Sequence, residues 1–247
     1  MLRGCEGQGG SRFAGCARPR RRPVVMVPVP DVIPIFPLPK TVLLPGEVLP
    51  LHIFEPRYRE MIRDALSTHG IIGMVQILPG HEQEQPLNPP VREIGCACVI
   101  ARHSEFEDGR FLIWLLGVER FRIEQELDTL TRYRLVSIHH DAESRGDENA
   151  APSIARLTVL ASLTAFLDDK VEGGEAAVNE LVSQLAQVED EPLTAAVAQL
   201  LGVSGDRKQD LLEASCIGER FAMVQKELDE ALAQMASAGQ LKPRLLH

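Results

Sequence analysis

No apolar run in the 247-residue sequence approaches the ~18–20 residues needed to span a bilayer, which excludes a helical membrane span. No Gly-x-x-x-x-Gly-Lys-Ser/Thr run occurs, so the common backbone cradle for nucleotide phosphates is missing, and no EF-hand spacing is present. Cysteine is scarce: five residues, an odd number spread through a mid-sized chain, do not form a disulfide framework and point to a reducing cytoplasm. Positive charge is missing where a nucleic-acid or anionic-membrane surface would need it. The formal net charge is −9, but residues 1–25 hold six arginines against the single acid Glu6, which leaves −14 for the rest. An acidic body of this kind disfavours both partners.

The Arg- and Gly-rich stretch 1–27 has no apolar segment ahead of a cleavage site, so it is not a secretory signal. Its arginines against a single acid resemble an organelle transit peptide, but its prolines and glycines break any amphipathic helix. It is expected to be a disordered tail or to precede a true start at Met26, because such composition buries too little apolar surface to offset ordering entropy.

Hydrophobic content of 45% is enough to bury a core in the rest of the chain. Ile33-Phe36 and Val48-Ile53 are short apolar runs around a Pro/Gly-punctuated connection. Pro34, Pro37, Pro39, Pro45 and Pro50 exclude a long helix and favour edge strands, strand starts and bulges. Pro56-Thr68 reads as a helix with Pro56 in its first turn and Gly70 as its stop. Ile71-Leu78 and Glu93-Arg102 read as strands around a polar loop. Asp108-Gly109 is a hairpin signal before Phe111-Leu116, and Val118-Leu127 and Arg132-His139 complete the set. Six or so short strands around one helix suggest a small, partly open β-barrel over 28–141.

Residues 142–153 are polar, charged and closed by Pro152, a linker by composition. From 154 to 236 the pattern is helical: Ile154-Leu167, Glu175-Gln187, then Pro192-Leu201 with Asp190 or Glu191 as cap and Gly202 as stop. A long last helix over Asp206-Ala236 carries a three–four seam of Ala214, Ile217, Phe221, Val224, Leu228, Ala231 and Met235. At 1.5 Å per residue it would extend about 45 Å. The fold class is therefore α+β, a barrel followed by a helical bundle, with a tail over 237–247.

Candidate chemistry is thin. Cys96 and Cys98 share one strand face with His103 nearby, but a zinc site needs further ligands, and free cysteines are commonly core residues. His139-His140-Asp141 sits at a strand end with no nucleophile in a recognisable elbow, as a surface turn would. Asp168, Asp169, Glu172, Glu175, Glu189, Asp190 and Glu191 read as solvated helix faces. No metal or cofactor is expected.

Three stretches resemble one family. Phe36-Pro37-Leu38-Pro39, then Leu43-Leu44-Pro45-Gly46, then Leu49 to Tyr58 (LPLHIFEPRY) are similar to the signature of the Lon protease N-terminal, substrate-binding domain in its short, stand-alone form. Gly117-Val118-Glu119-Arg120-Phe121-Arg122-Ile123 resembles its second motif, and Asp206 to Glu213 with Arg220 resembles its later helix. The resemblance covers about 31–235 and implies a PUA-like barrel and a non-catalytic module that recognises unfolded or apolar peptides or a partner protein, with an adaptor role in protein quality control as one form of that function. Neither ATP hydrolysis nor peptide cleavage is expected of the chain. The resemblance directs attention to Leu38, Leu43, Leu44, Pro45, Phe54 and Tyr58 as peptide contacts; the same apolar residues could instead simply cover the barrel end. Arg57 and Arg120 are expected to be structural, fixing strand ends through Glu55 or Glu119. RNA or nucleotide binding is the alternative, since PUA-like barrels occur in such proteins.

Overall fold

The computed structural model describes residues 28–82, 88–140, 154–168, 170–172 and 174–238; the expected tail at 1–27, the expected linker at 142–153 and most of the 237–247 tail lie outside them. The chain runs β1 (Val32–Leu38), β2 (Val48–Ile53), α1 (Pro56–Ser67), β3 (Ile71–Gln76), β4 (Ile94–Glu105), β5 (Phe111–Leu127) and β6 (Arg134–His140). Five helices come next: α2 (Ile154–Leu167), α3 (Gly174–Leu185), α4 (Asp190–Leu201), α5 (Gly205–Glu213) and α6 (Ile217–Ser237). The class is α+β.

The strands form a single six-stranded sheet in the order β2-β5-β4-β3-β1-β6, and β6 also pairs with β5. The sheet curls on itself without making a clean barrel, because β2 hangs outside the ring on the free flank of β5. Curling depends on the length of β5. Its first half pairs with β2 and β4, and residues from Phe121 onward pair with β6. Two expected strands, Phe111-Leu116 and Val118-Leu127, are thus one, with a register shift in the β4 ladder where Cys98 faces Gly117.

Proline does not confine β1 to an edge. Val32–Ile35 pair with β6 and Ile35–Leu38 with β3, so each half has one bonded flank and one open flank where a missing N–H costs nothing. For β2, which pairs with β5 alone, the edge expectation holds.

Both faces of the sheet are apolar. Inside the curl Ile33, Ile35, Ile71, Val75, Ala97, Phe121, Val136 and Ile138 form a small core. Phe121 fills its centre because Gly73 and Gly95 make room: a Cβ on either would lie 2.8 Å from the ring. On the other face Ile72, Met74, Cys96, Cys98 and Ile113 join Leu193, Val197, Leu212, Phe221 and Leu228 in one larger core, continuous from sheet to helices. This explains why every residue of β3 is buried.

The last helix is broken. α5 ends at Glu213, Ala214 takes an extended conformation (φ −55°, ψ 136°), and α6 begins at Ile217. The Glu219 carboxylate accepts from Ser215 N and Oγ at 2.9 and 3.0 Å, satisfying a donor ahead of the new helix. The expected rod of about 45 Å is therefore replaced by a 21-residue α6 of about 31 Å. Asp190 and Glu191 differ from the solvated reading too. Asp190 pairs with buried Arg156, and Glu191 accepts from buried Arg220 at 2.8 Å.

At the seam of the curl His140 Nδ1 lies 2.7 Å from Glu119 and Nε2 3.1 Å from Asp31. The hydrogen bond to Glu119 raises the imidazole pKa above its ordinary value against an opposing desolvation, with Asp31 adding to the rise. A raised folded pKa means that the contribution is complete below the unfolded value of ~6.5 and is lost as pH climbs through the folded value. The melting temperature should consequently fall across that interval, and His140→Gln should flatten the fall; identical pH profiles for the two proteins would refute the clasp.

Candidate functional site: an exposed aromatic face

Most residues expected to contact peptides are internal. Leu43, Leu44, Pro45 and Tyr58 are buried and Leu38 is half-buried; only Phe54, 62% exposed, stands in solvent. The reason is tertiary. The 39–46 connection is roofed by the helical half: a Cβ on Gly205 would lie 2.0 Å from Lys40 O, and one on Gly46 3.0 Å from Pro192. Tyr58 lies under Phe36 with ring centroids 4.4 Å apart, and burial pushes its phenol pKa up to about 12.

The two motif arginines have different partners. Arg57 Nε lies 3.0 Å from Glu55, and its guanidinium stacks 4.4 Å from the Tyr58 ring. Arg120 follows Glu119, whose carboxylate bonds His140. Its Nη1 crosses to the helices and donates to Leu212 O at 2.9 Å and Ala214 O at 2.6 Å, closing the C-terminal end of α5. Around it α5 makes further polar links to the sheet half. Lys208 Nζ lies 2.6 Å from the buried Glu47 carboxylate, Gln76 donates to Asp206 at 2.9 Å, and Gln209 donates to Ile94 O at 3.0 Å. The family-like helix and the family-like strand are thus two sides of one joint.

Cys96 and Cys98 face the larger core, fully buried, and burial raises the Cys96 thiol pKa. His103 is exposed on the outer part of β4. Among the described residues no group of three or more His, Cys, Asp or Glu is placed to hold a metal, and no helix is long and apolar enough to cross a membrane.

An exposed aromatic strip lies on the other face of β2, β5 and β4. Strand alternation turns Leu49, Leu51 and Ile53 inward and leaves Val48, Pro50 and His52 exposed. Their β5 partners are Leu116, Trp114 and Leu112, all half-buried, and Arg102 of β4 lies over Trp114 at 5.2 Å. At one end His52 meets two exposed phenylalanines: Phe54 at 6.2 Å and Phe106, edge-on, at 5.9 Å. Arg110 lies 5.8 Å from Phe106 and is held there by Asp108, whose carboxyl pKa is lowered by hydrogen bonds from Arg110. Of this strip, the sequence alone singles out only Phe54. Alternation within Val48-Ile53 is a usable signal for Pro50 and His52, but nothing local shows that Phe106 and Trp114 join them.

The curled sheet and its helical layer define an α+β domain of the type seen in solved Lon N-terminal domains. The Lon N-terminal domain protein from Xanthomonas campestris superposes with a TM-score of 0.55 at 23% identity, covering 82% of this chain and 97% of that one. The N-terminal domain of Mycobacterium avium complex Lon protease gives 0.61 at 17% identity, covering 81% and 98%. The family model of the ATP-dependent protease La (LON) substrate-binding domain matches residues 32–230, and the chain belongs to this family. It is 29% identical over 193 residues to the Lon protease of Flavobacterium johnsoniae, an alignment spanning 78% of this chain but 23% of that protein. With the Dictyoglomus thermophilum Lon protease it shares 32% identity over 102 residues, 41% of this chain and 12% of that one. The chain thus spans a quarter or less of the length of these curated relatives.

Proposed function

We propose that the chain is a non-catalytic recognition module that binds apolar segments of unfolded or partner proteins on the strip built by Pro50, His52, Phe54, Phe106 and Trp114. The observation that carries this reading is the His52–Phe54–Phe106 cluster, which leaves two large aromatic side chains in water on a chain with few aromatics. Such clusters mark contact surfaces, because aromatic anchors supply most of the gain when a partner covers them. Leu43, Leu44, Pro45 and Tyr58 serve this surface from beneath, as core. Membership of the substrate-binding family supports protein segments as the ligand class. An adaptor role beside an ATP-dependent protease, in the cytoplasm, is the cellular form of the proposal.

Binding of apolar peptides from an array should fall about tenfold or more in a Phe54→Ala/Phe106→Ala double variant, as loss of aromatic anchors does elsewhere. Undiminished binding would remove the strip from consideration. A casein assay with and without ATP should show no turnover by the pure chain. The alternative of RNA binding draws on the same cation–π pairs, since stacked aromatics beside arginine also hold bases. The acidic body opposes it, and a gel shift at moderate salt separates the two.

A further inference from the structure

Beside the aromatic cluster lies a shallow cavity of about 300 Å³ lined by Pro56, Arg59, Glu60, Arg63, Asp64 and Arg132. Most of its charges are committed. Arg63 donates to Glu105 at 2.8 Å and to Gly109 O at 3.3 Å; Asp64 accepts from the Tyr133 hydroxyl at 2.7 Å; Arg132 and Glu60 are 3.9 Å apart. Arg59 is the exception. Among the described residues its side chain makes no hydrogen bond or ion pair, and its Nε is buried without an acceptor. Asp108 feels its charge but is bonded to Arg110.

No side-chain hydrogen bond holds Arg59 in place. Its guanidinium rests against the β4–β5 turn at Gly109, where a Cβ would lie 2.1 Å from Nη2. A turn of this side chain toward a ligand in the cavity would break no hydrogen bond and would give Nε the acceptor it lacks. The guanidinium fork suits a planar, two-oxygen anion best. The aromatic cluster is contiguous with it: Phe54 is two residues from Pro56 in the cavity wall, and Phe106 O accepts from Gly109 N in the same turn, at 2.8 Å. An apolar surface that runs into an uncommitted guanidinium matches a ligand that is apolar along its length and anionic at its end.

We propose that Arg59 captures the free C-terminal carboxylate of a peptide whose last apolar side chains lie on Phe54 and Phe106. The module then selects chain ends over internal apolar segments. This rests on the recognition surface proposed above and adds polarity to it.

The test uses the full chain and fluorescein-labelled ten-residue peptides ending in Leu-Phe, prepared as free acid and as C-terminal amide and read by fluorescence anisotropy. The free acid should bind about tenfold more tightly, the scale of one charge-assisted fork. Arg59→Gln should abolish that difference without changing affinity for the amide, and Arg59→Lys should retain part of it. Equal binding of acid and amide, or a difference that survives in Arg59→Gln, overturns the proposal. If both forms bind equally and the double phenylalanine variant weakens both, the recognition surface stands and the carboxylate site falls. If neither form binds, both fall. An amidated peptide carrying an internal glutamate that binds as tightly as the free acid would show that Arg59 accepts any carboxylate, and would overturn selection of chain ends.

Discussion

Arg120→Ala is expected to lower the free energy of unfolding by about 3 kcal/mol, the low end of what two charge-assisted hydrogen bonds to buried carbonyls contribute. The side chain is 8% exposed and reaches from the middle of β5 to Leu212 O and Ala214 O, the two carbonyls at the end of α5. Truncation opens a void between sheet and helix and leaves the C-terminal end of α5 without its cation, where helix-dipole attraction also favours a positive charge. Water reaches such carbonyls only if α5 moves, and moving it would strain Lys208–Glu47 and Gln209–Ile94 as well. Arg120→Lys should recover less than half of the loss, because an ammonium on a shorter stem cannot reproduce the planar approach to both oxygens. Urea unfolding followed by circular dichroism measures all three proteins. A loss under 1 kcal/mol for the alanine variant would show that the joint is held by the apolar core alone.

Gly117→Ala should be comparably damaging, about 3 kcal/mol, through crowding instead of loss. A methyl group there would sit 2.4 Å from Leu44 O, 3.0 Å from Leu44 C and 3.1 Å from Cys96 Sγ. Two of these atoms are backbone, and the loop that carries them is tied to the same glycine by Gly46 N to Gly117 O at 2.9 Å and Gly117 N to Glu47 O at 3.0 Å. Relief therefore requires breaking the bonds that bring the loop close. The variant should unfold at a much lower urea midpoint with an unchanged slope, since the surface exposed on unfolding is the same. A midpoint equal to wild type would mean that the 43–47 loop can lift away freely.

These two residues show how far a sequence can be read. Gly117 and Arg120 stand out in a motif, and the flanking elements are visible through local rules: Pro56 opens α1, Asp108-Gly109 turns the β4–β5 hairpin, and Gly202, with φ 66°, stops α4. Each of those signals acts through its own backbone. The roles of Gly117 and Arg120 do not. The glycine resembles a strand break because its function, admitting a carbonyl from a distant loop, leaves no local trace. Two of the arginine's acceptors are main-chain atoms far along the chain, which no pairing rule for side chains reveals.

The same asymmetry governs the site. Leu43 and Leu44 form an apolar loop, and an apolar loop is a contact surface or a floor according to what covers it. Gly205 and Pro192 decide the matter from the far end of the sequence. The exposed strip depends on register: Pro50 opposite Trp114, and Arg102 opposite the same tryptophan. Periodicity places His52 and Pro50 on one side of β2, but only the pairing shows which side faces water. The α5–α6 break is concealed because the apolar spacing runs through it, whereas the polar sign, Ser215 with Glu219, lies off the seam.

That break determines what kind of assembly the chain can enter. An unbroken helix would have offered a sticky rod, and rods with a three–four stripe find other rods. By turning at Ala214 the chain folds the stripe back, and Phe221, Val224 and Leu228 are sealed among α2 and α4. Adhesion through zippering is spent internally, and the exposed phenylalanines Phe54 and Phe106 stand on the strand side.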